Sequence, residues 1–181
     1  MTLLSHEELR NIVEQEIITP VDPKDINAAS IDIHLGDTIL WEDDHDGLTK
    51  VVDYRLRQPV SYFEYHMDAD GWLLQPGDFI LAQSREVFNL PNWLSAEYKL
   101  KSSMARIGLE HMNAGWCDAG WNGSVLTLEL KNMTNNHAIR IRPGDAIGQM
   151  IFFRHEPVAS EASYASKGRY NGDTSVSGIK R

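Results

Sequence analysis

The sequence predicts a mainly β domain, a barrel or a sandwich, with one short helix at its N-terminus. Several short stretches alternate polar and apolar residues, turn-forming residues separate them, and helical periodicity is weak after residue 20. The 181 residues, of which 42% are hydrophobic and 24% charged, suffice for one hydrophobic core. This composition excludes a coiled coil, a collagen-like chain and a wholly disordered chain.

The helix begins near Ser5. Ser5 followed three residues later by Glu8 is a capping box, in which each side chain satisfies a backbone N–H of the first turn. Apolar residues then recur at helical spacing, at Leu9, Ile12, Val13 and Ile17. Pro20 cannot continue a helix, so we expect a short helix that packs against the outside of the β domain.

Strand-like stretches follow, each introduced by a turn. Residues 30–35 alternate and stop at Gly36. Two Pro-Gly-Asp turns, at 76–78 and 143–145, each precede an apolar strand, which indicates a meander or a jelly roll. Asn122-Gly123 predicts a hairpin turn before the strand at 124–130.

Charge and cysteine content exclude several classes of partner. The chain has 17 Lys and Arg against 26 Asp and Glu, a net charge of −9, so binding to nucleic acid is not expected. Cys117 is the one cysteine, and the seven histidines lack ligand spacing, so we predict no metal site. No apolar run reaches the roughly 18 residues of a membrane span. The first residues lack a signal-peptide pattern, so we expect a cytoplasmic protein.

We predict that residues 1–158 form the folded domain and that residues 159–181 form a flexible C-terminal segment. This segment is rich in Ser, Ala and Gly, and it carries four basic residues against two acidic ones, a net charge of +2. A frayed terminus and a basic lid that orders over an anionic ligand both fit this composition.

The densest chemical signal lies at residues 99–108, which contain two lysines, two serines and an arginine. A turn into a short helix would direct these donors at phosphate oxygens. The spacing is not that of a Walker loop, and a solvated surface remains the alternative.

A second signal lies at residues 113–123, where small residues surround Trp116, Asp118 and Trp121. Small residues let a flat ring approach the backbone, whose polar groups can then read a base edge. Core packing of the tryptophans and turn capping by Asp118 are the alternatives.

A third signal is Glu129. Strand alternation places Thr127 and Glu129 on one face and Leu128 and Leu130 on the other. An inward-facing carboxylate would have a raised pKa and could act as a general base, whereas a solvent-facing one would not.

Taken together, these segments resemble the family of dCTP deaminases and dUTPases. The K-S-S-M-A-R-I-G run at 101–108 is similar to the phosphate motif of the family, and A-G-W-C-D-A-G-W at 114–121 is similar to its base-binding hairpin. Further stretches that match the family in order are 27–36, 74–81, 127–130, 142–149 and 168–172.

The resemblance implies a distorted jelly roll of the dUTPase-like barrel type. It implies a homotrimer, or a hexamer of paired trimers, whose sites are shared between subunits and closed by the C-terminal tail. It also implies a dCTP- or dUTP-type nucleotide as ligand and Mg²⁺ bound through the triphosphate. The deaminase branch of the family uses no zinc.

The resemblance also assigns roles to residues. Glu129 would take a proton from the water that attacks C4 of cytosine, Ser102 would hold this water, and Arg106 would orient Glu129. No residue is assigned as a metal ligand. The substrate-binding residues would be Lys101, Ser102, Ser103, Arg106, Trp116, Asp118, Thr127, Leu128, Gln149, Tyr164, Arg169 and Tyr170.

These roles favour hydrolytic deamination of dCTP to dUTP and ammonia, because dUTPases generally lack a carboxylate at the Glu129 position. Gly115-Trp116 resembles members that form dUMP, so a dUTP pyrophosphatase or a bifunctional deaminase is the alternative. A non-catalytic nucleotide-binding regulator is the third reading. Asp118 and Glu129 are eleven positions apart, one more than in the deaminases compared, and we expect the extra residue in the turn at 122–124 or in a bulge.

Overall fold

The computed structural model describes residues 1–43 and 50–180, and it is mainly β with a short N-terminal helix, as the sequence predicts. The strands are β1 (Thr2–Leu3), β2 (Ile18–Thr19), β3 (Ile31–Glu42), β4 (Tyr62–His66), β5 (Trp72–Leu74), β6 (Phe79–Asn89), β7 (Leu94–Leu100), β8 (Leu109–Glu110), β9 (Trp116–Cys117), β10 (Asn122–Asn132), β11 (Ile139–Ile141) and β12 (Ala146–Arg154). The helices are α1 (His6–Glu14), α2 (Ser102–Arg106) and α3 (Tyr164–Lys167). None of the helices in the described ranges is long and apolar enough to cross a membrane.

Helix α1 has the predicted capping box. The backbone N–H of Ser5 donates to the Glu8 carboxylate at 3.0 Å, and the Ser5 side chain accepts in return from the first turn. Leu9 and Ile12 are buried against the sheet, while the opposite side of the helix is exposed. The helix therefore covers the outside of the β domain, as its single apolar stripe indicates.

The large sheet is antiparallel and curls into a half-barrel, with strand order β8-β10-β6-β3-β12-β7-β9. Strand β4 adds to β3, and β11 pairs with β5 in a separate two-stranded sheet. The apolar faces of the long strands β3, β6, β10 and β12 form one core. This order places β10 between β8 and β6. One face of β10 packs in the core, and the opposite face lines the candidate site.

Both Pro-Gly-Asp turns are present, and they have the same geometry. Gly77 and Gly144 each adopt a φ of +86°, which suits glycine. The Asp78 carboxylate accepts the backbone N–H of Gln75 at 2.7 Å, and Asp145 repeats this with Arg142 at 2.8 Å. Each turn leads into a long strand, β6 or β12, as predicted.

The prediction of a hairpin turn at Asn122-Gly123 is wrong. Both residues belong to β10, where Asn122 pairs with Asn89 and Ser124 with Phe88, so Gly123 stands unpaired in a bulge with φ of +63°. A glycine with positive φ serves a bulge as well as a turn, so the dipeptide does not distinguish the two.

Candidate active site

A cleft of about 390 Å³ lies against the second face of β10. It is bounded by this strand, by the segment around β9 and by the C-terminal tail. Six of the residues predicted from the sequence line it: Trp116, Asp118, Thr127, Glu129, Tyr164 and Tyr170.

Strand alternation brings Glu129 into this cleft. From Thr127 to Lys131 the half-buried residues of β10 alternate with buried leucines, so Thr127 and Glu129 share the cleft face. Leu128 is 1% exposed and packs in the core, so the strand's backbone is the part of this residue that can face a ligand. The inward-facing interpretation of Glu129 is therefore correct.

Burial changes the acidity of Glu129. It raises the pKa of the Glu129 carboxyl above its ordinary value, and a hydrogen bond within the strand offsets this in part. Burial likewise raises the pKa of Tyr62, which lines the cleft, and the charges of Glu42 and Glu129 add to this shift, so the phenol stays neutral. The other titratable side chains that line the cleft are Cys117, Asp118, Tyr164, Tyr170 and Asp173.

We expect a corresponding pH dependence. If turnover needs ionised Glu129, kcat/KM falls on the acid side as this group is protonated, and the raised pKa places the fall at a higher pH than an ordinary glutamate would. A pH profile of kcat/KM measures this midpoint. A kcat/KM profile without an acid limb would contradict the role.

Trp116 and Asp118 form a bonded pair at the mouth of the cleft. The indole Nε1 of Trp116 donates to Asp118 Oδ1 at 2.8 Å, and the ring, 55% exposed, stacks on Phe153. Trp121 behaves differently, because it is buried and stacks on Phe88. Both rings line the cleft, but Trp121 does so as part of the hydrophobic core, whereas Trp116 is largely exposed.

The small residues of this segment serve the fold itself. A Cβ on Gly115 would lie 2.4 Å from the backbone oxygen of Tyr98, so any larger residue would push β9 away from β7. Close approach between two strands, and not to a ligand ring, explains this glycine.

The C-terminal tail is docked on β10 of the same chain. The backbone oxygen of Tyr170 accepts from Trp121 Nε1 at 3.0 Å, and that of Asp173 accepts from Val125 N at 2.8 Å. Val176 is 5% exposed and packs with Leu40 and Leu81. In this arrangement Tyr164 and Tyr170 line the cleft.

The predicted phosphate-binding residues lie elsewhere. Ser102, Ser103 and Arg106 are exposed on α2, and none of them lines the cleft of their own chain. Lys101 pairs with Asp32. Gln149 accepts from Ser30 Oγ at 3.0 Å, and Arg169 lies in the tail outside the cleft lining. One chain therefore holds the two halves of the predicted site apart.

The cleft also contains residues that the sequence analysis missed, among them Tyr62 and Asp173. Tyr62 reaches the cleft through the pairing of β4 with β3, a long-range contact that leaves no local signal. Asp173 could have been singled out from the sequence, since it is one of only two acidic residues in an otherwise basic C-terminal tail.

Within residues 1–43 and 50–180, no group of three or more His, Cys, Asp and Glu side chains could hold a metal ion. Burial raises the pKa of the Cys117 thiol to about 12, so this side chain packs as a small apolar residue.

The fold places the protein in a known structural class. The crystal structure of 2′-deoxycytidine 5′-triphosphate deaminase from Agrobacterium tumefaciens matches 88% of this chain with a TM-score of 0.66 at 21% identity. This chain spans 50% of that longer protein. The likeness shows that the curled antiparallel sheet with its N-terminal helix is the deaminase-type fold.

Sequence comparison then identifies the family. The model of the dCTP deaminase-like family matches residues 3–155, and the chain belongs to this family. It is 39% identical to the dUMP-forming dCTP deaminase of Methanospirillum hungatei, over 77% of this chain and 73% of the relative. It is 34% identical to the dUMP-forming dCTP deaminase of Persephonella marina, over 94% of this chain and 92% of the relative. The resemblance stated from the motifs is confirmed.

Proposed function

We propose that this protein is a bifunctional enzyme that converts dCTP to dUMP, ammonia and pyrophosphate. One observation carries the proposal: of the three carboxylates that line the cleft, Asp173 is paired with Lys180, and Asp118 and Glu129 remain as a base for each of two hydrolyses. The motifs by themselves favoured dUTP as the product. The relatives named dUMP-forming support the alternative that the sequence left open.

The first step is the deamination of the base. The Glu129 carboxylate accepts a proton from water as the water oxygen bonds to C4 of cytosine. The same proton then passes to the departing ammonia as the C4–N bond breaks, and the second water proton moves from the new C4 hydroxyl to N3, which leaves dUTP. Burial makes Glu129 a stronger base, and general acid–base catalysis of this kind contributes about 10²- to 10⁴-fold.

The second step is the hydrolysis of dUTP. Asp118 accepts a proton from a second water, which attacks the α-phosphorus and displaces pyrophosphate, leaving dUMP. The indole of Trp116 holds one oxygen of this carboxylate at 2.8 Å, which fixes its orientation.

A neighbouring subunit completes the site in this proposal. Ser102, Ser103 and Arg106 are exposed on α2 and absent from their own cleft, which is expected if they reach the cleft of the next subunit in a homotrimer or in a hexamer of trimers. In that arrangement Lys101 and the two serines bind phosphate, and Arg106 orients Glu129 of the partner.

The tail and the metal complete the arrangement. Residues 159–181 close over the nucleotide as a lid, which their contacts with β10 support. Mg²⁺ would enter with the triphosphate, would be held through the phosphates, and would neutralise part of their charge.

The decisive experiment supplies dCTP and Mg²⁺ and measures ammonia and pyrophosphate separately. The wild-type protein is expected to release both in equal amounts. Asp118→Asn is expected to keep ammonia release and to lose pyrophosphate release by about 10²-fold or more, because it removes the second base.

Asp70→Asn, at an exposed turn outside the cleft, is the matched control and is expected to retain both activities. Ammonia without pyrophosphate from the wild-type protein would indicate a dUTP-forming deaminase. Pyrophosphate from dUTP without ammonia from dCTP would indicate a dUTPase. Neither product would indicate a nucleotide-binding regulator.

A further inference from the structure

The pairing of β6 with β10 is interrupted immediately before Thr127 and Glu129, two polar residues of the cleft. Val125 pairs with Val87, and the next pair is Thr127 with Gln83, so three residues of β6 (84–86) stand opposite Leu126 alone. An antiparallel ladder loses its regular hydrogen bonds at such a bulge. The backbone N–H of Leu126 therefore needs a partner other than a strand carbonyl.

Ser84 supplies that partner. Its hydroxyl accepts the backbone N–H of Leu126 at 2.8 Å and donates to the backbone oxygen of Glu86 at 2.7 Å. The side chain is 1% exposed, so water cannot take its place. One hydroxyl thus satisfies the backbone N–H of Leu126 in β10 and bonds across the bulge of β6 at the same time.

The other side of the bulge is anchored to β3. The Glu86 carboxylate, which is fully buried, accepts the backbone N–H of His34 at 3.0 Å and contacts the His34 ring at 2.9 Å. Arg85 contacts the same carboxylate at 3.2 Å. Because β6 is held on this side, movement at the bulge would be taken up by β10.

The bulge sets the phase of β10. Ser124, Val125 and Leu126 are all buried, and the alternation of core and cleft residues begins only at Thr127. A change in the local path of the strand at Leu126 would therefore rotate or displace the residues that follow, Glu129 among them.

We propose that Ser84 is a positioning residue for Glu129, whose hydroxyl fixes the strand bulge that directs this carboxylate into the cleft. This inference rests on the proposed function of Glu129 as the base for deamination. Asp118 belongs to the segment before β10 and does not depend on this bulge, so the two half-reactions respond differently.

The test is Ser84→Ala, with ammonia release from dCTP and pyrophosphate release from dUTP measured on the same preparation. Since misplacement of a reacting group by about 1 Å costs on the order of 10²-fold, kcat for ammonia release is expected to fall by about tenfold or more. Thr127 and Leu128 also follow the bulge, so KM is expected to change alike for dCTP and dUTP. The kcat for pyrophosphate release from dUTP is expected to stay within about threefold of wild type, whereas a folding defect would lower both kcat values.

The acid limb of the ammonia-release profile is a second readout. Burial raises the pKa of Glu129, so a displaced and better-solvated carboxylate is expected to move this limb to lower pH. Ser84→Thr keeps the hydroxyl and is expected to restore kcat. Ser84→Cys keeps a side chain of similar size but has a weaker hydrogen-bonding group, so it is expected to lower kcat. This variant replaces Ser84→Ala in the test if the alanine variant does not fold.

Thr38→Val is the matched control, because it removes a buried β3 hydroxyl, bonded to His66 at 3.1 Å, at a site outside the cleft. It is expected to leave both activities unchanged. Wild-type kcat in the foldable alanine or cysteine variant, or equal loss of both activities, would overturn the role of Ser84. A wild-type protein that releases no ammonia would instead refute the proposed function.

Discussion

Replacing Glu129 with Gln is expected to lower ammonia release from dCTP by about 10²- to 10⁴-fold, which is the contribution of a general base. The amide keeps the size of the side chain, so β10 and the cleft retain their shape, but it cannot accept the proton of the attacking water. Binding of dCTP is therefore expected to remain within a few-fold of wild type, as measured by calorimetry.

Glu110→Gln is a suitable control. It makes the same chemical change at an exposed position of β8, which pairs with the end of β10, and it lies outside the cleft lining. This variant is expected to keep wild-type turnover. Ammonia release by Glu129→Gln at the wild-type rate would show that another group activates the water.

Two inactive variants are expected to restore each other if the site is shared between subunits. Glu129→Gln lacks the base, and Arg106→Ala lacks the group on α2 that is proposed to orient it. In a mixed trimer, a site that takes Glu129 from one subunit and Arg106 from the next is intact. Every mixed trimer has one such site of three, so assemblies purified for both variants are expected to recover about a third of the sites of a closed ring.

The measurement uses the two variants with different affinity tags, expressed together and purified through both tags. Each variant alone serves as the baseline, and two differently tagged copies of Glu129→Gln serve as the control for purification. Mixed assemblies that stay as inactive as the separate variants would show that both residues act within one chain, and the proposed sharing would be wrong.

The features that were predicted correctly from the sequence have local causes. The capping box of α1 involves side chains three residues apart, and each Pro-Gly-Asp turn is closed by an aspartate three residues from its donor. The face of Glu129 follows from the two-residue period of a strand. Each of these features depends only on residues that lie within a few positions of one another in the sequence.

The error at Asn122-Gly123 and the ambiguity of the tryptophans have a different origin. A glycine with positive φ fits a hairpin turn or a bulge equally, and the outcome depended on the pairing of β10 with β6, a strand more than 30 positions earlier. Trp116 and Trp121 have similar neighbours in sequence, but only Trp121 meets Phe88 of that strand. Contacts between distant segments decided both cases.

The amino-acid order alone was enough to specify the alternation within strands, the two Pro-Gly-Asp turns and the family, because short-range sterics and hydrogen bonding act between near neighbours. The composition of the cleft was not accessible in this way. Tyr62, Glu129 and Tyr170 meet there because β4 adds to β3 and the tail crosses β10, whereas α2 is held away from the cleft of its own chain. Such contacts depend on how whole strands pack against each other. A local sequence pattern does not indicate which distant segments this packing brings together.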